Sequence, residues 1–230
     1  MAGPKKIKPA KKKASDQRVG RNQKKPTREK IIDAAVKVFA DYPYYAASIR
    51  MIGKAAEIDH PLINYYFPTK ATLFEEVIKH VTDEYYQANI TWFEGLEEQN
   101  PERGLSLYID RFFDFAVKHP KALRIVALNL VQAGDREEIP GYRRIREFFT
   151  NTKESFKNAI PLQESFRDIE MFTISFNTLA INYLGAGPHY AKLLGFEPGS
   201  GQYFSWVKQT MMFVFLPQLK QIISEKQHTR

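Results

Sequence analysis

The 230-residue chain contains no cysteine, and this absence removes several classes of function. It excludes a disulfide framework, a thiolate metal site and a cysteine nucleophile, and it agrees with a reducing cytosol. No run approaches the roughly 18 apolar residues of a membrane-spanning helix. The basic N-terminus also lacks the apolar segment of a secretory signal. We therefore expect a cytoplasmic protein that does not enter a membrane.

Catalytic and cofactor-binding motifs are also missing. The sequence has no GxSxG nucleophile motif, no phosphate-binding P-loop and no GxGxxG fingerprint, and the segment 185–188 lacks the strand that such a fingerprint requires. The adjacent glutamates at 75–76 and 97–98 fall on different helix faces and are most simply solvated. We expect no catalytic residue, no metal site and no cofactor.

Positive charge is concentrated at one end of the chain. Residues 1–25 contain ten Lys or Arg against Asp16 alone, a net charge of +9, while the whole chain carries +8. Residues 26–230 therefore sum to −1. Few large apolar groups are present to offset the entropy of ordering, so we predict a disordered basic arm over residues 1–25. This arm either reaches DNA phosphates, or keeps the protein soluble, or serves as a transport signal.

The stretch from residue 49 to residue 70, IRMIGKAAEIDHPLINYYFPTK, predicts two short helices joined by a tight turn. Ser48 is a suitable N-cap for the first helix and Asp59 for the second, in which Pro61 occupies the first turn. The turn from Glu57 to Asp59 is only about three residues long, so the two helices must cross steeply.

The second of these helices has two distinct faces. Apolar residues at core spacing form one face: Ile58, Ile63 and Phe67. Hydrogen-bonding and aromatic groups form the other: His60, Pro61, Asn64 and Tyr65. Such a face suits contact with base-pair edges in a groove. An earlier amphipathic helix capped by Thr27 completes a three-helix module over about residues 26–69, and a fourth helix begins at Lys70.

These residues resemble the N-terminal DNA-binding domain of the tetracycline-repressor (TetR) family of bacterial regulators. The resemblance covers about a quarter of the chain and is carried by residues 27–35 (TREKIIDAA), 39–40 (FA) and 62–70 (LINYYFPTK). The chain departs from the family at Pro43 and Glu57, where glycine is usual. A non-glycine residue adopts a left-handed or bridge conformation at modest cost, so the turn is compatible with Glu57.

The resemblance implies a repressor that binds a palindromic DNA operator as a homodimer and is released by a small-molecule effector. It implies that Tyr65 and Lys70 anchor phosphates. It also implies that four neighbouring residues approach base edges: His60, Pro61, Leu62 and Asn64. The complete predicted DNA-binding set is Thr27, Arg28, Ser48, Arg50, His60, Pro61, Leu62, Asn64, Tyr65 and Lys70.

The rest of the chain has a helical pattern throughout, so the predicted fold class is all-α. The predicted helices span 70–98, 104–118, 121–133, 141–159, 163–186 and 201–227, with a kink or restart at Pro217. We divide the chain into the arm (1–25), a helix-turn-helix domain (26–72) and a helical effector-binding and dimerisation domain (73–230).

The last two helices are apolar around most of their circumference, which favours burial by the chain's own core on one side and by a partner on the other. The predicted homodimer residues are Leu179, Tyr183, Tyr203, Trp206, Met211 and Val214. The alternative is one thick monomeric core.

Aromatic residues crowd the middle helices, together with a few polar groups. A largely apolar cavity of this kind suits a small apolar or aromatic effector. The predicted effector residues are Phe112, Phe115, Asn129, Phe149, Phe172, Phe176 and Asn177. The alternative is that these side chains form the core and that each Asn bonds a nearby carbonyl.

A second function is compatible with the basic composition: an architectural DNA-binding protein without an effector. It would show little preference for a palindrome over random duplex. On either hypothesis the partner is double-stranded DNA, and the expected location is the cytoplasm, in association with the nucleoid.

Overall fold

A computed structural model describes residues 26–134, 138–159 and 166–224. Over these ranges the chain forms ten helices and no strand, which confirms the predicted all-α class. The helices are α1 (Thr27–Asp41), α2 (Ile49–Ala56), α3 (His60–Tyr66), α4 (Lys70–Thr91), α5 (Pro101–Lys118), α6 (Pro120–Leu130), α7 (Pro140–Ala159), α8 (Phe166–Gly185), α9 (Gly187–Leu193) and α10 (Gly201–Ser224). The predicted basic arm lies outside the described residues.

The α2–α3 turn has the conformation that the sequence predicts. The Ser48 hydroxyl oxygen accepts the Met51 N–H at 3.2 Å and caps α2. Glu57 follows α2 with φ 55° and ψ 43°, in the left-handed region, and is the one non-glycine residue with positive φ in the described ranges. Gly53 permits the close crossing, because a Cβ there would lie 2.8 Å from the Ile58 carbonyl oxygen.

Two other predicted N-caps need correction. Thr27 is the first residue of α1 rather than its cap; Pro26 occupies the cap position, and no side chain caps the helix. Asp59 does precede α3, but its carboxylate makes no capping hydrogen bond. Thr69 caps α4 by a reciprocal pair, in which its side chain accepts the Thr72 N–H and the Thr72 hydroxyl accepts the Thr69 N–H.

Helix α4 is shorter than predicted, ending at Thr91 rather than at residue 98. The chain turns there because Trp92 is buried in the core, with 4% of its surface exposed. Arg111 on α5 donates to the carbonyl oxygens of Trp92 and Glu94, each at 2.7 Å. These two bonds satisfy carbonyls that a continuing helix would have used.

The C-terminal helices differ from the prediction in two further respects. The segment after α8 is not a simple connection, because Pro188 lies in the first turn of the short helix α9. Proline is well tolerated at that position. The helix does not restart at Pro217, since α10 continues to Ser224, and the alternative of a kink there stays a prediction.

One hydrophobic core runs from Ile31 in α1 to Leu219 in α10. Helix α1 packs against α2, α4 and α6, and α4 packs most extensively against α7. Gly141 makes the α4–α7 approach possible, because a Cβ at this position would collide with the ring of Phe74. The proposed domain boundary at residues 72/73 falls inside α4 and remains a prediction. None of the described helices is long and apolar enough to cross a membrane.

Candidate nucleic-acid interface and ligand cavity

The outer face of α3 is exposed along its whole length. The five α3 residues predicted to contact DNA are all exposed: His60, Pro61, Leu62, Asn64 and Tyr65. The Tyr65 side chain is 80% exposed and Leu62 is 44% exposed, while Ile63 is fully buried against the core. Helix α3 is therefore held by one face and presents a polar, aromatic stripe on the other, as the sequence predicts.

The N-terminus of α2 lies beside the start of α3. Ser48, Ile49, Arg50 and His60 line a shallow cleft there. The Ser48 oxygen accepts the helix-capping hydrogen bond, which leaves its own O–H free to donate. Arg50 is exposed in the first turn of α2, where the helix dipole adds to its positive charge. This cleft thus combines hydroxyl, guanidinium and imidazole groups suited to a phosphate.

Lys70, the predicted phosphate anchor, is already engaged within the fold. Its ammonium nitrogen donates to the carbonyl oxygens of Tyr44 at 2.9 Å and Ala47 at 3.0 Å. It also lies 4.2 Å from the centre of the Tyr44 ring. Burial lowers the pKa of Lys70. An ammonium group has three N–H donors, so one remains for a phosphate while two hold the α1–α2 loop.

Arg28 and Thr27 belong to the first turn of α1. The Arg28 guanidinium pairs with the Glu76 carboxylate on α4 and lies 5.1 Å from the centre of the Phe67 ring. Its role in the described chain is to fasten α1 to α4. A phosphate contact by Arg28 would compete with Glu76, whereas Thr27 is half-buried without a capping role.

Asn129 on α6 was predicted to line the effector site, but the structure places it elsewhere. It is fully buried where α6 meets the α1–α2 loop. Its side-chain oxygen accepts the backbone N–H of Tyr44 at 3.0 Å, and its side-chain nitrogen donates to the Ile125 carbonyl at 2.8 Å. Asn129 is therefore a link between helices rather than a cavity residue.

Further contacts support this link. Arg124 on α6 donates to the carbonyl oxygen of Ala40 at 2.6 Å. The rings of Tyr44, Phe74 and Tyr142 contact one another, with centroids 4.8 to 5.8 Å apart. The loop before the helix-turn-helix is thus held by α4, α6 and α7 together.

A mainly apolar cavity between the C-terminal helices has a volume of about 310 Å³. It is bounded by the segment between α4 and α5, by the start of α5, by the end of α7 and by α8 and α10. Five aromatic side chains of its wall form a closed ring of neighbours, which we call the aromatic belt: Phe93, Phe156, Phe172, Phe176 and Tyr108. Consecutive members have ring centroids 5.1 to 6.2 Å apart.

The cavity contains only part of the predicted effector set. Phe172, Phe176 and Asn177 line it. The other four residues do not: Phe112, Phe115, Asn129 and Phe149. Phe112 is fully buried between Tyr85 and Trp92, Phe115 stacks on His119 at 4.5 Å, and Phe149 packs on Phe148. These three rings pack in or against the core, which is the alternative to an effector site given in the sequence analysis.

Sequence reasoning missed cavity residues in the segment after α4. Phe93 and Leu96 line the cavity from a stretch that was assigned to a continuous helix. Tyr108 was also missed, although it lies one helical turn before Phe112 on α5. This spacing was the signal in the sequence that could have identified Tyr108 as a cavity residue. Apolar periodicity marked the correct face of α5 but did not show which turn of the helix borders the cavity.

The predicted dimer residues separate into two groups. Met211 is fully buried and Tyr203 is 2% exposed, because both point into the chain's own core; the Tyr203 hydroxyl donates to the Tyr183 carbonyl at 2.6 Å. These two residues are therefore unsuited to contact a partner. Leu179, Tyr183 and Trp206 are half-buried, and Val214 is 38% exposed.

Another set of side chains on α8 and α10 is exposed and apolar. It comprises Met171 (52% exposed), Ile174 (36%), Phe213 (83%) and Val214 (38%), and we call it the apolar face. No charged residue occurs between residues 171 and 185 or between residues 209 and 219. Among the described residues, no group of His, Asp or Glu is arranged to hold a metal ion.

The N-terminal helices match a known family. Residues 31–77 match the family described as bacterial regulatory proteins of the tetR family. The HTH-type transcriptional repressor NicS of Pseudomonas putida is 32% identical over 108 residues, which are 47% of this chain and 50% of that protein. The chain spans half or less of the length of the curated relatives it matches. The family is one of transcriptional regulators and not of enzymes.

Solved structures share the fold over most of the chain. A transcriptional regulator from Rhodococcus sp. Rha1 aligns with 84% of this chain and 97% of its own, with a TM-score of 0.62 and 16% identity. A TetR transcriptional regulator from Legionella pneumophila aligns with 84% of this chain and 99% of its own, with a TM-score of 0.61 and 17% identity. The match of residues 31–77 to the tetR family confirms the predicted resemblance of the N-terminal helices, and the solved structures show that the fold is shared.

Proposed function

We propose that this chain, whose residues 31–77 match the tetR family of bacterial regulatory proteins, is a transcriptional repressor that binds a palindromic operator as a homodimer. The observation that carries the proposal is the exposed polar and aromatic stripe of α3 beside the α2 cleft. Tyr65 is a large side chain that is 80% exposed and would gain contacts on a duplex. Asn64 offers an amide of the kind that reads adenine in the major groove.

The homodimer part of the proposal is supported by the apolar face. A phenylalanine that is 83% exposed within an uncharged stretch is unusual for a surface that stays in water. A twofold axis would bring the same face of two chains together. Two α3 helices separated by about 34–36 Å, or a multiple, would then read two inverted half-sites.

The cavity is proposed as the site of a small apolar or aromatic effector that releases the operator. The α4 helix connects both regions, since it begins at Lys70 beneath the α1–α2 loop and ends at the wall of the cavity. A ligand that favours a different position of α4 would also bias the loop held by Lys70 and Asn129. The spacing of the two α3 helices would change in consequence.

The experiment that tests this function compares specific with random DNA. A duplex enriched by selection and a shuffled duplex of equal length are titrated with the protein at one salt concentration. The affinity of a repressor for the enriched duplex is about a thousandfold or more higher than its affinity for the shuffled duplex. Near-equal binding to both would favour the architectural DNA-binding alternative. The proposed place of action is the cytoplasm, in association with the nucleoid.

A further inference from the structure

We infer that the cavity binds a flat aromatic ligand of about two rings that carries no negative charge. This inference rests on the proposed function only in treating the cavity as a ligand site, and it specifies the chemistry of that ligand. It is carried by the aromatic belt, by the charge of the cavity wall and by an unpartnered buried hydroxyl in that wall.

The size and shape of the cavity favour a flat ligand. Its volume of about 310 Å³ is roughly twice that of the engineered cavities of ~150 Å³ that take up benzene. The belt contributes five aromatic rings to its wall, and the remaining apolar wall includes Leu96, Leu105 and Leu219. Aromatic rings bind other rings by stacked or edge-to-face contacts at centroid distances of about 4.5–7 Å. A ligand of two fused rings fits both properties.

The charge of the wall excludes an anion. Among the described residues that line the cavity there is no Lys, Arg or His, and the single charged side chain is Glu97 at its exposed rim. A carboxylate or phosphate inside would lose its hydration without gaining a positive partner, and it would also be repelled by Glu97. Burial of an unpaired charge is strongly unfavourable. An uncharged ligand avoids both costs, and a cationic ligand avoids the repulsion because its charge can lie at the rim beside Glu97.

Polar groups of the wall indicate one or two hydrogen bonds to the ligand. Thr173 lines the cavity and is 3% exposed, and its hydroxyl has no hydrogen-bond partner among the described residues. A threonine in a helix populates two χ1 rotamers, so its hydroxyl can reorient by rotation about χ1. The Tyr108 oxygen accepts from Asn89 at 2.9 Å, which leaves its own O–H to donate. Burial raises the pKa of Tyr108, so this donor persists at neutral pH.

The test uses three ligands of equal shape and different charge: 2-naphthamide, 2-naphthoate and 2-naphthamidine. Binding to the full chain is measured by calorimetry at pH 7 without DNA. The inference predicts that the amide and the amidine bind at least about tenfold more tightly than the carboxylate. Binding of the carboxylate as tight as that of the amide would overturn it.

Variants locate the binding. Phe172→Leu shortens one member of the belt and should lower the affinity for the amide several-fold. Phe149→Leu is the matched change outside the cavity and should leave the affinity for the amide unchanged. Thr173→Val replaces only the hydroxyl by a methyl group, so it should lower the affinity for the amide without lowering the thermal stability of the free chain. Equal effects of Phe172→Leu and Phe149→Leu, or an unaltered affinity of Thr173→Val, would contradict the inference.

The calorimetric result is independent of DNA. If the amide binds as predicted but does not release the operator, the effector part of the proposed function fails and the ligand chemistry stands. If no member of the series binds while specific DNA binding is intact, the ligand inference fails and the DNA-binding function stands.

Discussion

The side-chain oxygen of Asn129 accepts the backbone N–H of Tyr44, which is 85 residues earlier in the chain, at 3.0 Å in a buried position. The Tyr44 carbonyl on the same residue accepts from Lys70 at 2.9 Å. The backbone N–H and the carbonyl of Tyr44 are thus both fixed by other helices, the N–H by α6 and the carbonyl by α4. The position of α2 and α3 relative to the rest of the chain therefore depends on a small number of specific bonds.

Replacement of Asn129 by Leu should destabilise the chain and loosen this loop. The variant leaves the buried Tyr44 N–H without an acceptor, which costs about 1–3 kcal/mol. It also loses the bond from the Asn129 amide to the Ile125 carbonyl. We expect lower urea stability, faster hydrogen exchange at the Tyr44 amide and weaker operator binding.

The chain supplies a matched control for this prediction. Asn182 on α8 makes the same local bond, from its amide to the Thr178 carbonyl at 2.8 Å. Asn182→Leu therefore removes the local bond without unpairing Tyr44. Equal losses of stability in the two variants, with unchanged exchange at Tyr44, would show that the contact between α6 and the loop is unimportant.

Substitutions at Asn64 and Lys70 should separate base reading from phosphate binding. Asn64→Ala removes an exposed amide and should relax sequence preference by about 1–3 kcal/mol at one base pair, with little change on random DNA. Lys70→Ala should weaken operator and random DNA about equally, and it should also lower stability because Tyr44 and Ala47 lose a donor. The measurement is fluorescence anisotropy on both duplexes, with Asn158→Ala as an exposed control. Loss of operator binding alone in Lys70→Ala would refute its phosphate role.

Phe213→Asp should break the proposed dimer. The substitution would place a negative charge on the apolar face, and twofold symmetry would place it on both chains of the dimer. If Phe213 is a hot spot, each substitution makes the free energy of association less favourable by about 2 kcal/mol or more. Sedimentation should show a monomer with weakened operator binding. Val131→Asp is the control, because Val131 is 93% exposed outside the apolar face. A wild-type chain that sediments as a folded monomer at micromolar concentration would rule out the dimer.

Deletion of residues 2–24 should change the salt dependence of DNA binding. Residues 27–80 have seven basic and seven acidic side chains, so they provide little long-range attraction for DNA. If the arm neutralises phosphates, each one adds about 0.9 to the slope of log K against log salt. The deletion should flatten this slope by several units on operator and random DNA alike, without altering base preference. An unchanged slope would leave solubility as the role of the arm.

Local sequence signals predicted the helix-turn-helix well. Ser48 and Pro61 act within a few residues of their own position, and short-range geometry decides their roles. Glu57 takes the left-handed conformation that a three-residue turn requires, although it is not glycine. The exposed face of α3 followed from the spacing of Ile63 and Phe67, which had to be buried.

Contacts between distant residues could not be predicted in the same way. Asn129 is a polar residue in an apolar helix, and periodicity alone cannot distinguish a cavity residue from one that bonds a loop 85 residues away. Met211 and Phe213 both belong to a helix that is apolar on most sides, and only the packing of α10 on α5 and α8 shows which one is buried. Trp92 directly follows the last residue of α4 and is buried in the core, which no local signal records.

Selection of bound duplexes from a random pool, followed by sequencing, tests palindromic recognition and the homodimer together. The full chain and Phe213→Asp are carried through the same rounds. The full chain should recover two inverted half-sites with centres about one helical turn apart, or a multiple of it, and Phe213→Asp should recover at most one half-site. A full-chain pool without any inverted repeat would show that the protein does not read a palindrome as a dimer.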